Sequence, residues 1–160
     1  MPEKFTWTDI YQELATALLA WEDRQADLIA FLDSLHAQGY TVISMQDKNR
    51  DDERFLLTEI DPFSFFSSFN RQIKDENRIA VLAQIKQHFQ LQSSLPSDFT
   101  AIPVVNNQSS WFFSYHKFRR PTDIPTLWRL FKLALQDNPL QDAQFLQAFD
   151  EAVTIRKVNI

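Results

Sequence analysis

In the N-terminal part of the chain, apolar positions recur at helical intervals: Ile10, Leu14, Leu18 and Trp21, then Leu28, Phe31, Leu32 and Leu35. Such spacing puts each set on one face of an α-helix. It predicts helices from about Thr8 to Ala20 and from about Arg24 to Gln38. Thr6 and Asp9 have capping-box spacing ahead of the first, and Gly39 stops the second. Two helices joined by so few residues form a hairpin.

The period is lost after Gly39. Tyr40 to Ile43 reads as a short strand, Gln46 to Arg54 as an exposed polar loop, and Phe55 to Leu57 as a second short strand or a loop anchor. Asp61-Pro62 restarts helix, a carboxylate at the N-cap followed by proline at the first helical position. Phe63, Phe65, Phe66 and Phe69 share one broad face of that helix and read as core, with Ser64, Ser67 and Ser68 opposite. Asp75 is read as the cap of a helix to about Phe89, striped by Ile79, Leu82, Ile85 and Phe89. Glu76 then complements the helix dipole, and Arg78 pairs with a neighbouring group. The prolines at 96 and 103 make 95–110 a structured loop, and Trp111 to Phe113 is a short extended stretch. Thr122 or Asp123 opens a helix to about Gln136, and Pro139 or Asp142 opens the last one, to about Ile155. The fold class expected is mainly α, about five to seven helices with at most a little short β-strand. It forms a single domain over 1–160, with a helical hairpin at 1–39 and the main helical part at 61–155.

Composition narrows the chemistry. With one glycine in 160 residues, neither phosphate-cradling glycine motif can be written. With no cysteine there is no disulfide, thiolate metal site or cysteine nucleophile, which suits a reducing cytoplasm. No apolar run approaches the ~18 residues of a membrane span, so no membrane partner is expected. The three histidines, His36, His88 and His116, lie far apart and match no metal spacing. His36 and His88 fall near predicted helix C-termini, where a polar or cationic group is favourable. No lysine has a carboxylate two residues before it, so a nuclease centre of the (D/E)xK kind is absent. No enzyme activity and no cofactor are expected of this chain. Charge is uneven: residues 1–61 carry 13 acids against 5 bases, and residues 62–160 carry 8 acids against 11 bases. A polyanion would therefore approach the second part. There Trp111, Phe112 and Tyr115 stand beside His116, Lys117, Arg119 and Arg120, aromatics interleaved with cations as base stacking and phosphate neutralisation require. The other reading puts Trp111 and Phe113 in the core with a solvated basic loop behind them. Asn70-Arg71 is open in the same way: a natural helix end, or a pair able to reach a base edge or phosphate.

Three blocks carry a family resemblance: Asp61 to Ile79 (DPFSFFSSFNRQIKDENRI), Pro96 to Asn107 followed by Trp111 to Phe113, and Asp123 to Phe131 (DIPTLWRLF). With the opening Phe5-Thr6-Trp7 they resemble, in order and spacing, the N-terminal region of AAA+ GTPases of the McrB type, the motor components of 5-methylcytosine-specific restriction enzymes. The resemblance spans nearly the whole chain. Gln72 stands where relatives often have glycine, so the turn there cannot rely on positive φ. The segment Phe118 to Thr122 is more basic and rigid than the acidic, glycine-containing loop of such relatives. The resemblance implies a non-catalytic, target-specificity domain of an antiviral restriction system that reads DNA, often at modified bases. Its partners would be the AAA+ motor of the same parent protein and a nuclease subunit. On that reading Lys117, Arg119 and Arg120 hold phosphate, Arg71, Lys74 and Arg78 extend the surface, and Asn106, Asn107 and Trp111 contact a base. The alternative from a different class is a helical module that docks on the motor or a partner without touching DNA, as the sequence pI of about 5.1 suggests.

Overall fold

The computed structural model describes residues 4–105, 111–136 and 139–155. The fold is mainly α. Its helices are α1 (Thr8–Leu18), α2 (Gln25–Ala37), α3 (Pro62–Ser67), α4 (Asp75–Phe89), α5 (Asp123–Ala134) and α6 (Ala143–Ala152). Two three-residue strands, β1 (Gln46–Lys48) and β2 (Arg54–Leu56), pair antiparallel with Asp47 opposite Phe55.

The first helix ends earlier than its apolar stripe suggests. After Leu18 the chain tightens into a 3-10 segment, Leu19–Arg24, and α2 begins at Gln25. Thr6 does not cap α1. Its hydroxyl accepts from the backbone N–H groups of Ser97 and Asp98, both at 3.3 Å, and so ties the N-terminal end to a turn far away in sequence. Gly39 terminates α2 as expected. It sits at φ 91°, and the Tyr40 N–H reaches back to the Leu35 carbonyl at 3.0 Å. With no glycine to spare, α4 ends on Gln90 in the same left-handed region, φ 56°.

Two segments are corrected. Tyr40 to Ile43 joins no sheet; Ile43 instead donates to the carbonyl of Ser68 at 3.0 Å. The stretch 46–54, expected as an exposed loop, contains β1 and a fully buried Asp47. The turn closing this hairpin is built on Asn49, whose side-chain oxygen accepts from the backbone of Asp51 at 2.9 Å and Glu53 at 3.1 Å. An Asx turn of this kind replaces the glycine turns the sequence lacks.

Helix α3 is the centre of the molecule. Asp61 caps it, accepting from the Ser64 N–H at 3.1 Å, with Pro62 at the first position. Phe65 and Phe69 are fully buried, whereas Phe63 and Phe66 are half-buried. The serines of the opposite face are buried as well. Their hydroxyls are absorbed locally: Ser68 donates to the Phe65 carbonyl at 2.6 Å, and Ser64 accepts the Phe112 N–H at 2.9 Å. With buried residues on both the Phe and the Ser faces, this helix does not present a polar side to solvent. Phe63 meets Phe131 of α5 edge-on at 5.4 Å, and Phe65 meets Phe89 of α4 at 5.8 Å. Trp128 of α5 is buried and donates its indole N–H to the Ile60 carbonyl at 2.9 Å. Asp75 is the first residue of α4 rather than its cap, which is Lys74 with no side-chain bond. Its charge still complements the first turn. Asp142 caps α6, accepting from the Gln144 N–H at 2.7 Å.

Asp61 has an energetic signature of its own. It is fully buried, one carboxylate oxygen (Oδ1) has no hydrogen-bond partner, and burial pushes its pKa from 3.8 up to about 6. The folded state thus holds this proton more tightly than the unfolded chain. The contribution of Asp61 to stability should be greatest below pH 3.8, fall as pH rises to about 6, and level off above it. Two pH units of displacement correspond to roughly 3 kcal/mol at most. Asp61→Asn keeps a good capping residue and should remove that slope from denaturant midpoints measured between pH 4 and 7. Parallel pH profiles for wild type and variant would refute the assignment.

Candidate functional site

The segment 111–120 folds differently from a basic binding loop. Trp111 is 7% exposed, stacked on Phe113 at 5.1 Å and edge-on to Tyr115 at 5.8 Å. Its indole nitrogen is buried without a partner. To stack on a base, Trp111 would first have to leave the core. Behind it the cations are paired, Arg119 in a buried position and Arg120 in an exposed one. Arg119, with 5% of its side chain exposed, donates to Asp47 at 3.0 Å and to the Ser114 carbonyl at 3.0 Å, lying over Phe113. Lys117 pairs with Asp52 across the hairpin turn. Arg120 binds Asp123 at 2.8 Å and the Thr154 hydroxyl at 2.9 Å. Asp47 also accepts the His116 N–H at 2.7 Å. The loop and the β-hairpin are therefore stapled together by charge. A phosphate would have to displace the Asp47 carboxylate to reach buried Arg119. Asn106 and Asn107 lie outside the described residues.

A second feature is better placed to receive a ligand. Tyr11 of α1, Phe63, Phe66 and Ser67 of α3, Asn70, Pro103 to Val105 and Phe112 line a cleft of about 360 Å³. That is the lower end of the range for small-molecule pockets. Its walls are largely aromatic; Tyr11 and Phe66 stand 5.6 Å apart, centroid to centroid. Its polar end is a relay. The Tyr11 hydroxyl donates to Asn70 Oδ1 at 3.0 Å, and Asn70 Nδ2 donates to the Pro103 carbonyl at 2.9 Å. Burial pushes the Tyr11 phenol well above its ordinary range, so it stays a neutral donor, while the nearby Arg78 charge acts in the opposite sense. An amide carries two N–H donors, and among the described residues Asn70 Nδ2 has one acceptor, the Pro103 carbonyl.

The N–H of Asn70 closes the end of α3 on the Phe66 carbonyl at 2.8 Å, as the helix-end reading expects, and its side chain lines the cleft. Gln72 takes an ordinary φ, and the turn closes through Ile73 donating to the Arg71 carbonyl at 2.7 Å. Arg71 is half-buried and bridges to Val105, Arg78 is buried, and Lys74 is exposed. Sequence reasoning missed Tyr11, Phe66 and Pro103 as cleft residues. The signal for Tyr11 was its position just off the Ile10–Leu14–Leu18 stripe, an aromatic with a hydroxyl at the edge of a buried face.

The histidines take structural positions. His36 Nδ1 lies 3.1 Å from the Val42 carbonyl, and His88 stacks on Phe31 at 4.1 Å. Among the described residues no group of three or more His, Asp or Glu side chains is placed to hold a metal ion. None of the helices described is long and apolar enough to cross a membrane.

Fold and site together define a mainly α-helical domain with an aromatic cleft held between α1, α3 and the loop after residue 100. The chain belongs to the family described as a domain of unknown function (DUF8425), whose model matches residues 7–160. Comparison with curated proteins and with solved structures finds no match.

Proposed function

We propose that this domain is a non-catalytic DNA-recognition domain of a McrB-like, modification-dependent restriction system acting in the cytoplasm. The observation that carries the reading is the aromatic cleft with the Asn70 amide at its polar end. A planar heterocycle fits such walls, because every base has a π-face for stacking and an edge for one or two hydrogen bonds. The cleft is lined by residues of the blocks that resemble McrB-type N-terminal regions: Phe63, Phe66 and Asn70 of the first, and Pro103 to Val105 and Phe112 of the second. In the assembled system a motor and a nuclease would act on the DNA this domain selects.

Val104 lines the cleft and is 38% exposed, so it can be enlarged without disturbing the core. Val104→Trp should fill the cleft and leave the melting midpoint unchanged. Affinity for modified single-stranded or duplex DNA should fall by the roughly 1–3 kcal/mol that one stacked base contributes, and preference for the modified base with it. Wild-type affinity and preference in a folded Val104→Trp protein would refute the cleft as the reading site.

The second reading, a module that docks on the motor or a partner without DNA contact, has its own observation. On α6, Leu146 is 47% and Phe149 49% exposed. Leu146→Ser, Phe149→Ser should leave DNA binding intact on the first reading and abolish partner capture on the second.

A further inference from the structure

Two arginines of this domain are almost wholly buried, and their surroundings differ. Arg119 faces Asp47. Arg78 is 3% exposed and, among the described residues, faces no carboxylate. Among the described residues its guanidinium makes one hydrogen bond, from Nη2 to the Arg71 carbonyl at 2.5 Å; its Nε has no partner there, and its plane lies over Phe99 at 4.5 Å. A guanidinium carries five N–H donors and stays charged at any ordinary pH. Burying one without a counter-charge carries a large desolvation penalty, more than the stacking on Phe99 returns. Arg71 repeats the pattern beside it. Half-buried, it also makes no ion pair among the described residues, its Nε is partnerless, and loss of solvent lowers its pKa. Arg78, which the sequence reading pairs with a neighbouring group, therefore donates to the backbone of a second arginine whose Nε is likewise unpartnered.

We infer that Arg71 and Arg78 together form an anion site that takes a phosphate group. Geometry supports this beyond the missing carboxylates. Arg71 follows Asn70, whose amide ends the cleft, and it bridges to Val105 on the cleft's other wall. Arg78 lies over Phe99, whose ring stands 6.5 Å, centroid to centroid, from that of Tyr11 in the same cleft. Guanidinium groups offer paired, planar donors that match phosphate oxygens. The site stands whether its phosphate is free or part of a strand. That it belongs to a strand whose base occupies the cleft rests on the recognition reading above.

The test uses the whole domain, labelled with nitrogen-15 in arginine. Inorganic phosphate is titrated against chloride at constant ionic strength while the arginine Nε–H resonances are followed. The inference predicts saturable shifts at Arg71 and Arg78 and not at Arg129, whose ion pair with Glu151 is exposed. Arg71→Gln, at a half-exposed position that leaves the buried Arg78 in place, should abolish the saturable shift at Arg78. Shifts that rise linearly and alike at all three arginines, or a saturable Arg78 shift that survives Arg71→Gln, would overturn it. A second arm uses single-stranded DNA. Loss of affinity in Arg71→Gln, with the log–log salt dependence flattened by about 0.7, assigns the phosphate to a strand. A phosphate effect lost in the variant while DNA binding is unchanged upholds the anion site and removes the strand as its source.

Discussion

Asp47→Ala is expected to lose about 3–5 kcal/mol of folding stability, the usual consequence of stripping a buried ion pair of one partner. Asp47 is fully buried and accepts three hydrogen bonds: from Lys48 N at 2.8 Å, from His116 N at 2.7 Å, and from Arg119 at 3.0 Å. Its removal orphans two backbone donors and leaves Arg119 charged, buried and unpaired. The desolvation of these groups, rather than the attraction itself, makes the loss large. Denaturant midpoints read it directly. Arg119→Ala added to Asp47→Ala should then cost much less than it does alone, because the orphaned charge goes with it. An unchanged midpoint for Asp47→Ala would mean that the pair opens to water in solution. Arg119 would then be available to phosphate after all.

Phe65→Ala should cost a similar amount, about 3–5 kcal/mol, through lost transfer energy and the cavity left behind. Phe65 is fully buried, with Phe69 at 6.4 Å and Phe89 at 5.8 Å edge-on to its ring. Its neighbour Phe66 makes the contrast. That ring is half-buried and faces the cleft, so Phe66→Ala should cost clearly less stability and widen the cleft instead. Equal losses for the two variants would show that the cleft is closed in solution.

The elements that sequence made legible are those whose causes are local. Gly39 ends α2 and Asp61-Pro62 starts α3 because a cap or a backbone preference acts within a few residues. What escaped depends on distant partners. Thr6 has capping-box spacing, yet its hydroxyl serves a turn 92 positions away. The polar run around Asp47 looks solvated until Arg119, 72 positions on, is brought against it. The same blindness shaped the candidate DNA contacts. Clustered cations at 117–120 announce a positive surface, but their acids come from the hairpin turn, β1 and the start of α5. Arg78, which the sequence offers both as a helix residue paired with a neighbouring group and as part of a phosphate surface, is, like Arg71, without an acid among the described residues. Tyr11 and Asn70 meet across 59 positions to form the polar end of the cleft, and no periodicity records such a meeting.

Binding of the wild-type domain to DNA tests the central claim most directly. Fluorescence anisotropy with duplex and single-stranded oligonucleotides, with and without 5-methylcytosine, would be followed from ~50 mM salt upward, the range in which phosphate contacts weaken steeply. A recognition domain should bind saturably at the lowest salt, with a linear log–log decline of about 0.9 per duplex phosphate contact, and should hold the modified strands more tightly. A folded domain that binds none of these DNAs at ~50 mM salt would contradict that claim.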